Sequence, residues 1–355
     1  MEYFPHLRAR LPFPLMQEHC EGNDLPTAQG WEKLQAKLEE EAAQSRPRAT
    51  QISEALAEVF REVLSVGNRA VQVFRFEPEE AVEIADYLAT LQPEDSPYFD
   101  SYPLPLAADA LAAMPSGVFL CEVRADAEPH SVTLVFCGRR MVEDKEPRTR
   151  AEIGDAAINQ FGWEQYDEFV LIKRRFVQSY EVVRIDVATG LMELRVEDQP
   201  GADGPATLSQ LQVKANGILA AQFALRFPLV SPLNLFPAIK SMYDDAAEGI
   251  VVELGFTTAT GSAKHEKMRT NRADLRVELF HVGGKAAIHG ALTPFRVAVR
   301  WSKDGDRMQE EALLPGTIRQ VAIGVTPYLD HMLLSGSLTE AKMRATVQKV
   351  LKHVP

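Results

Sequence analysis

The pattern of hydrophobic and polar residues predicts helices in the first third of the chain. Apolar residues recur at helical spacing along residues 31–44, 51–64 and 77–91, so each segment can bury one stripe against a core. A glycine and an asparagine at residues 67–68 mark the end of the second helix. Prolines interrupt residues 1–30, and we expect this stretch to be extended and to pack onto the body.

The middle of the chain has the period-two pattern of β-strands. Strands are predicted over residues 69–76, 118–123, 131–137, 169–177, 180–187 and 192–196, with a short helix over 151–160. Residues 188–190 form a turn and place Gly190 where a positive φ is needed. We therefore predict an antiparallel meander. Its inward-facing side chains are expected to be Val183, Ile185, Leu194 and Val196.

The last third of the chain mixes both patterns. Helices are predicted over residues 208–223 and 339–353, and strands over 250–256, 275–282, 295–301 and 319–323. Helices and strands segregate without regular βαβ alternation, which favours an α+β fold. We predict a helical N-terminal region, a central antiparallel β-meander and a mixed α+β C-terminal region.

The length of the chain predicts two domains. At 355 residues it exceeds the size at which one hydrophobic core usually stops growing. Residues 198–205 are rich in glycine, proline and acidic residues, as linkers are. We place an N-terminal α+β domain at residues 1–200, a linker at 201–206 and a C-terminal α+β domain at 207–355. A long hairpin loop at the same position is the alternative.

Composition narrows the setting of the protein. With 46% hydrophobic and 25% charged residues, we expect a soluble globular protein. Cys20, Cys121 and Cys137 are widely spaced and odd in number, which fits neither a disulfide framework nor a zinc half-site and favours the cytoplasm. The longest apolar tract, residues 218–236, contains Arg226 and two prolines, so we predict no membrane segment.

A reversal of charge occurs in residues 264–300, which we call the basic segment. The chain has a formal charge of −12, yet this segment holds eight cations against three carboxylates. The cations are Lys264, Lys267, Arg269, Arg272, Arg276, Lys285, Arg296 and Arg300. Because summed charge steers association, this cluster predicts an anionic partner. Our leading hypothesis is a non-enzymatic nucleic-acid-binding protein, for DNA, RNA or another polyanion, that contacts phosphates through these eight side chains and belongs to a larger protein assembly.

Two local patterns within and beside the basic segment are compatible with anion binding. Hydroxyl side chains surround Gly261, and a helix over residues 262–272 would point its first amides at an anion. In the strand 295–301, period two places Arg296 and Arg300 on one face. Residues 255–264 are not a Walker A loop, because five residues separate the glycines and Lys264 comes three positions late. A solvated surface without a partner is the alternative interpretation.

A second run of cations, at residues 173–175, has a different expected role. Arg184 and Arg195 lie on neighbouring predicted strands, where acidic residues are interleaved with them. Opposite charges stabilise each other across strands, so we predict cross-strand ion pairs in this region rather than a binding surface.

An acidic segment supports a hypothesis from another class. Residues 77–100 contain eight carboxylates and neither lysine nor arginine. They could offset the basic segment within one molecule, or receive it from a neighbouring copy. The second hypothesis is therefore a protein-interaction or scaffold subunit whose basic segment docks on an acidic surface, either of another protein or of a second copy in a homo-oligomer.

The third hypothesis is a metal-dependent hydrolase. Asp244, Asp245 and Glu248 have the spacing to bring carboxylates together on one helical turn, where they could hold a divalent cation. Acidic residues near a helix start more often interact with the helix dipole. We find no nucleophile elbow and no zinc motif, so catalytic residues stay unassigned and neither a cofactor nor a metal is predicted.

Overall fold

The computed structural model describes residues 2–126, 130–198, 204–270, 273–288, 291–301, 309–322 and 325–355. Its strands are β1 (Arg69–Arg75), β2 (Val118–Asp126), β3 (Ser131–Thr149), β4 (Glu168–Asp186), β5 (Leu191–Glu197), β6 (Ile250–Thr257), β7 (Ala263–Lys267), β8 (Thr293–Trp301), β9 (Glu310–Leu314) and β10 (Met332–Ser335). They form one ten-stranded sheet in the order β2-β3-β4-β5-β1-β10-β9-β8-β6-β7. Each neighbouring pair is antiparallel.

Helices pack around this sheet. They are α1 (Phe4–Arg10), α2 (Phe13–Gly22), α3 (Trp31–Gln44), α4 (Arg46–Ser65), α5 (Pro78–Leu88), α6 (Pro97–Ser101), α7 (Ala108–Ala113), α8 (Arg150–Ile153), α9 (Asp155–Phe161), α10 (Gly204–Phe223), α11 (Phe236–Asp244), α12 (Leu279–Ala287) and α13 (Glu340–Leu351). Short 3₁₀ helices cover Leu275–Val277 and Ile318–Val321. In the described part of the chain, none of the helices combines the length and apolarity needed to cross a membrane.

The predicted α+β class is confirmed. Four helices precede the first strand, β2 to β5 form the central meander, and the C-terminal region mixes helices with strands. The helix predicted over residues 31–44 coincides with α3, whose Leu34 and Leu38 are fully buried. The predicted glycine turn is also confirmed, since Gly190 has a φ of 65°. A Cβ at this position would lie 2.4 Å from the Phe76 carbonyl oxygen.

Three clusters of apolar side chains form the core. One joins the N-terminal helices to β2–β4, a second lies under α5 and α10, and a third lies between the C-terminal strands and α11 and α13. The four side chains predicted to face inward are all buried in the second cluster. This agreement follows from the period-two pattern, which fixes the face of each strand.

Buried ion pairs lie between the apolar clusters, on the strands where pairing was predicted. The fully buried Arg195 contacts Glu193 at 2.8 Å on its own strand and Glu340 of α13 at 2.7 Å. Arg184 contacts Asp186 at 3.3 Å and Glu340 at 3.0 Å. Arg184 and Arg195 do form ion pairs, but the prediction that their partners lie across neighbouring strands is wrong, because the partners are on the same strand or on α13. Removing one partner of such a pair leaves an uncompensated buried charge.

Two helices, α1 and α2, occupy most of residues 4–22, so the prediction of an extended segment is wrong for this part of the chain. Pro5 and Pro14 lie in the first turns of α1 and α2. Proline is well tolerated there, because the first amides of a helix have no intrahelical acceptor. The prolines mark helix starts, and Leu7, Leu15 and Met16 are then buried against α4 and its neighbours.

Three predictions in the C-terminal region are also wrong. Residues 275–282 form a 3₁₀ turn followed by α12, because the side chains of Asp274 and Glu278 accept hydrogen bonds from backbone amides and start each helix. The predicted strand at residues 319–323 is a 3₁₀ turn over Ile318–Val321. The helix predicted at residues 262–272 is replaced by β7, since a turn from Thr258 to Ser262 folds the chain back along β6.

Strands from both predicted domains share the sheet. β1 pairs with β5 on one side and with β10 on the other, so the pairing crosses the predicted boundary. Of the proposed linker, residues 201–203 lie outside the described residues and residues 204–206 begin α10. The division into two domains stays a prediction.

Candidate interaction surfaces

The edge of the sheet holds the first part of the basic segment. On β6, Glu253 is buried, and three side chains converge on its carboxylate: Arg296 at 2.5 Å, Lys267 at 3.0 Å and His265 at 3.0 Å. Burial by itself raises the pKa of Glu253, but the hydrogen bonds from Arg296, His265 and Lys267 outweigh it and lower the pKa from 4.5 to about 2. Two of the predicted phosphate-binding cations thus share an internal carboxylate.

Other cations of the basic segment also have internal partners. Arg276 pairs with Asp274 at 2.6 Å and donates to the backbone carbonyls of Asp245 and Gly249. Arg300 pairs with Glu311 of β9. A guanidinium held by carbonyl and carboxylate oxygens supports the local fold, and its remaining capacity for a phosphate is reduced.

The basic segment does not form one continuous patch among the described residues. The pairing of β6 with β7 places Lys267 on the face of Glu253 and Lys264 on the opposite face. Lys285 lies on α12, where its ammonium donates to the Tyr243 hydroxyl at 3.1 Å. Arg269 follows β7 and is exposed, and Arg272 lies outside the described residues.

The acidic segment finds partners elsewhere in the same molecule. Glu83 pairs with Arg226 at 2.6 Å, and Glu94 pairs with Lys214 of α10 at 2.7 Å. None of the ion pairs seen among the described residues joins residues 77–100 to the basic segment. Within the described part of the chain, the acidic and basic segments therefore pair with other residues rather than with each other.

The predicted carboxylate site is only partly assembled. Asp244 pairs with Lys240. Asp245, Glu248 and His353 each have an atom that could bind a metal ion, and these three atoms lie within 4.8 Å of one another. The Glu248 carboxylate already accepts hydrogen bonds from Trp301 Nε1 at 2.5 Å and His353 Nε2 at 3.0 Å, and it pairs with Lys352. Burial raises the pKa of Glu248, but these donors together lower it. A carboxylate so fully engaged by donors has little capacity left for a cation.

The meander extends into a projecting ribbon that was not predicted as a site. β3 and β4 are 19 residues each and pair over their full length. In the described chain, β2 pairs with β3 only as far as Gly138, and β5 pairs with β4 only from Val182. We call residues 139–177 the ribbon; they include α8 and α9 at its tip.

One face of the ribbon carries exposed apolar side chains on both sides of a cross-strand ion pair, Glu143 with Arg174. The pairing of Met141 with Phe176, Lys145 with Ile172 and Pro147 with Val170 places all these side chains on the same face. We define the open face by four large apolar side chains. They are Met141, Val170, Ile172 and Phe176, with exposed fractions of 52%, 59%, 49% and 40%.

The opposite face is covered at its tip by a small aromatic cluster. Phe169 lies 5.7 Å from Trp163 and 6.5 Å from Tyr166, measured between ring centroids, and Trp163 stacks on Phe161 at 4.8 Å. Ile158 of α9 is fully buried. The tip thus has its own packing, which stabilises a two-stranded element that would be marginal alone.

The ribbon carries balanced charge. It contains eight lysines and arginines and eight carboxylates, whereas the whole chain has a formal charge of −12. Arg174 pairs with Glu143 at 2.9 Å and Arg175 with Asp144 at 2.8 Å, both across the two strands. This confirms the cross-strand pairing predicted for the second basic run. The ribbon is consequently neutral, and its distinguishing feature is the open face.

No protein-family model matches the chain, and a search of curated proteins finds no match. The sequence does hold a signal for the open face. Val170, Ile172 and Phe176 all lie at even-numbered positions of one predicted strand, which places them on the same face. The period-two pattern does not distinguish an apolar face buried under a helix from one exposed to solvent.

Proposed function

We propose that the protein is a non-enzymatic interaction subunit that self-associates through the open face of its ribbon. This keeps the class of the second sequence-based hypothesis and changes the surface. The single observation that carries the proposal is the exposure of Met141, Val170, Ile172 and Phe176 on one side of a projecting element. Clustered exposed apolar side chains on a protein surface commonly mark interaction sites. Here Met141 with Phe176 and Ile172 with Val170 lie on either side of the Glu143–Arg174 ion pair.

The charge of the ribbon supports a second copy of this chain as the partner. Two acidic molecules repel each other at most of their surfaces, but the ribbon contributes equal numbers of cations and carboxylates. Two ribbons can therefore approach without the repulsion that the remaining surface would cause. A two-fold arrangement pairs the same patch with itself. The apolar side chains of one copy then meet those of the other, and the Glu143–Arg174 pair on this face is already neutralised within each copy.

The edges of the ribbon favour packing through the face over addition of a strand. Pro147 lacks an amide donor. Lys145 on β3 and Lys173 on β4 place ammonium groups along both strands of the ribbon. Proline and lysine on edge strands oppose pairing with another chain. We therefore infer that the two copies stack open face against open face.

Sedimentation velocity over a concentration series tests this proposal. We expect the native chain to show a concentration-dependent dimer that persists at high salt, because an apolar interface is not screened. Val170→Lys combined with Ile172→Lys should remain monomeric, since it places two charges of one sign in each copy's interface. Val213→Lys is the matched control, because Val213 is 72% exposed on α10 and away from the ribbon. A native chain that stays monomeric, or a ribbon variant that dimerises like the control, overturns the proposal.

Nucleic-acid binding is the second candidate, and we propose it for a smaller surface. Lys264, Lys267 and Arg269 are exposed along and just after an edge strand, where a phosphate backbone could approach. Lys267 is 71% exposed although it contacts Glu253. Binding of duplex DNA and of RNA across a salt series tests this candidate, with Lys264→Ala, Lys267→Ala and Arg269→Ala combined as the variant.

We also infer a cytoplasmic location. Cys20, Cys121 and Cys137 are free and buried, which supports a reducing compartment. Labelling of the three thiols in unfolded protein isolated under acid-quenched conditions tests this, and full reactivity is the expected result.

A further inference from the structure

A small cavity lies between the edge of the sheet and α12. Its volume is about 120 Å³. The apolar part of its lining comes from Phe256, Phe280, Ile288 and Leu292, and its polar part from Thr258, Lys264, Glu266, His281 and Lys285, with Gly284 completing the wall. Phe256 and His281 are buried and form the floor, whereas Lys264 and Lys285 are exposed and lie at the mouth.

A chain of hydrogen bonds fixes the polar side of this cavity. His281 Nδ1 lies 2.6 Å from Glu266 Oε2, and His281 Nε2 lies 2.8 Å from the Tyr243 hydroxyl. Lys285 donates to the same hydroxyl at 3.1 Å. With a neutral imidazole, the Tyr243 hydroxyl donates to Nε2 and the Nδ1–H donates to the Glu266 carboxylate. Each of these hydrogen-bonding groups therefore has a partner.

Lys264 and Lys285 keep N–H donors at the mouth of the cavity that the hydrogen bonds described above do not use. An ammonium group has three N–H donors, and Tyr243 takes one from Lys285. Lys264 has no ion pair among the described residues. Glu266 is the carboxylate of the lining, and His281 engages it. Two ammonium groups against one carboxylate give the cavity a net charge of one positive unit.

Size and charge together define the ligand. A protein cavity of about 150 Å³ is known to hold benzene, so 120 Å³ suits a molecule of about six non-hydrogen atoms or fewer. The apolar walls require a short hydrocarbon part, and the positive mouth requires one negative charge. The geometry points to a binding site for a small aliphatic monocarboxylate, with its carboxylate at Lys264 and Lys285 and its hydrocarbon chain among Phe256, Ile288 and Leu292.

Methyl NMR of the full chain tests this site with butyrate as the probe. Ile288 and Leu292 line the cavity, so their methyl signals report occupancy directly. We expect saturable shifts with a dissociation constant on the order of 1 mM, as suits so small a ligand. Butyramide has the same size without the charge and should bind about tenfold more weakly or not at all.

Two adjacent glycines provide a matched pair of variants. Gly284 lines the cavity and Gly283 does not, and a Cβ added at either position meets nothing within 4 Å. Gly284→Leu should fill the mouth and weaken butyrate binding about tenfold or more, whereas Gly283→Leu should bind like the native chain. Lys285→Met keeps the aliphatic stem without the charge and should also weaken binding. No saturable shift with butyrate, equal binding of butyramide, or equal binding by the two glycine variants overturns the inference.

Discussion

The basic segment and the ribbon each contain eight lysines and arginines, yet they present different surfaces. In the basic segment the sequence offers few carboxylates nearby, but the fold brings Glu253 and Glu311 to its arginines. In the ribbon Arg174 and Arg175 pair with carboxylates across the two strands, and four large apolar side chains are exposed beside them. The charge of a sequence segment alone is therefore a poor guide to the surface that the segment presents. The partners that the fold brings to each charged side chain decide which groups stay available.

The difference has an energetic basis. Glu253 holds Arg296 and Lys267 because a buried carboxylate without a cation would be unfavourable. The ribbon has no comparable interior along its open face, since two strands cannot cover both of their own sides. The cations of the basic segment thus largely have partners within one molecule, whereas the open face of the ribbon would be covered only in the proposed dimer.

The largest expected effect comes from Glu253→Gln. Removing the charge leaves Arg296 and Lys267 without their carboxylate and should destabilise the fold by about 3 kcal/mol at neutral pH. The pKa of Glu253 is lowered from 4.5 to about 2 in the folded state, so its stabilisation is complete above pH 4.5 and is lost as the pH falls towards 2. Urea unfolding of both proteins from pH 7 to pH 3 measures this.

The control for this prediction is Glu79→Gln, at an exposed carboxylate of α5. It should change the free energy of unfolding by less than about 0.5 kcal/mol at any of these pH values. A difference between native and Glu253→Gln that stays constant as the pH falls would contradict the assigned role of this carboxylate.

A smaller effect is expected at the ribbon from Ile172→Thr. The substitution keeps the β-branched shape and removes apolar surface, so dimerisation should weaken about tenfold while the monomer keeps its stability. Leu171→Thr is the matched control, because Leu171 is 47% exposed on the other face of the same strand. Sedimentation equilibrium gives the association constants. Equal weakening by both substitutions would argue against an interface on one face.

The basic segment gives a prediction for nucleic acid. If only Lys264, Lys267 and Arg269 reach phosphates, the logarithm of the DNA binding constant should fall with the logarithm of salt with a slope of about −3. Eight contacts would give a slope of about −7. Fluorescence anisotropy across a salt series separates the two, and the steeper slope would show that the internal ion pairs of Arg276, Arg296 and Arg300 open on binding.

The smallest effect is expected from divalent metals. Glu248 is already engaged by Trp301, His353 and Lys352, so excess magnesium or zinc should leave the unfolding temperature unchanged. Asp245→Ala should behave in the same way as the native chain. A metal-dependent rise in unfolding temperature that this substitution abolishes would instead support the metal-dependent hydrolase.

Periodic sequence signals predicted much of the fold, because they report local geometry. α3 and the inward residues of the meander follow from spacing alone. β7 and α12 were mispredicted where side chains of Asp274 and Glu278 and a tight turn at Thr258 decide the local structure. The ion-pair partners could not be predicted from the sequence for a different reason. Arg296 and Glu253 are 43 residues apart, and only the pairing of β6 with β8 brings them together.

The central claim is that the open face of the ribbon is covered when two molecules associate, and thiol reactivity tests it directly. The native cysteines are buried, so Ile172→Cys and Leu171→Cys each provide one reactive thiol on opposite faces of β4. We expect maleimide labelling of Ile172→Cys to slow in proportion to the associated fraction as concentration rises, while labelling of Leu171→Cys does not change. Labelling of Ile172→Cys at the same rate in dilute and concentrated protein would contradict it.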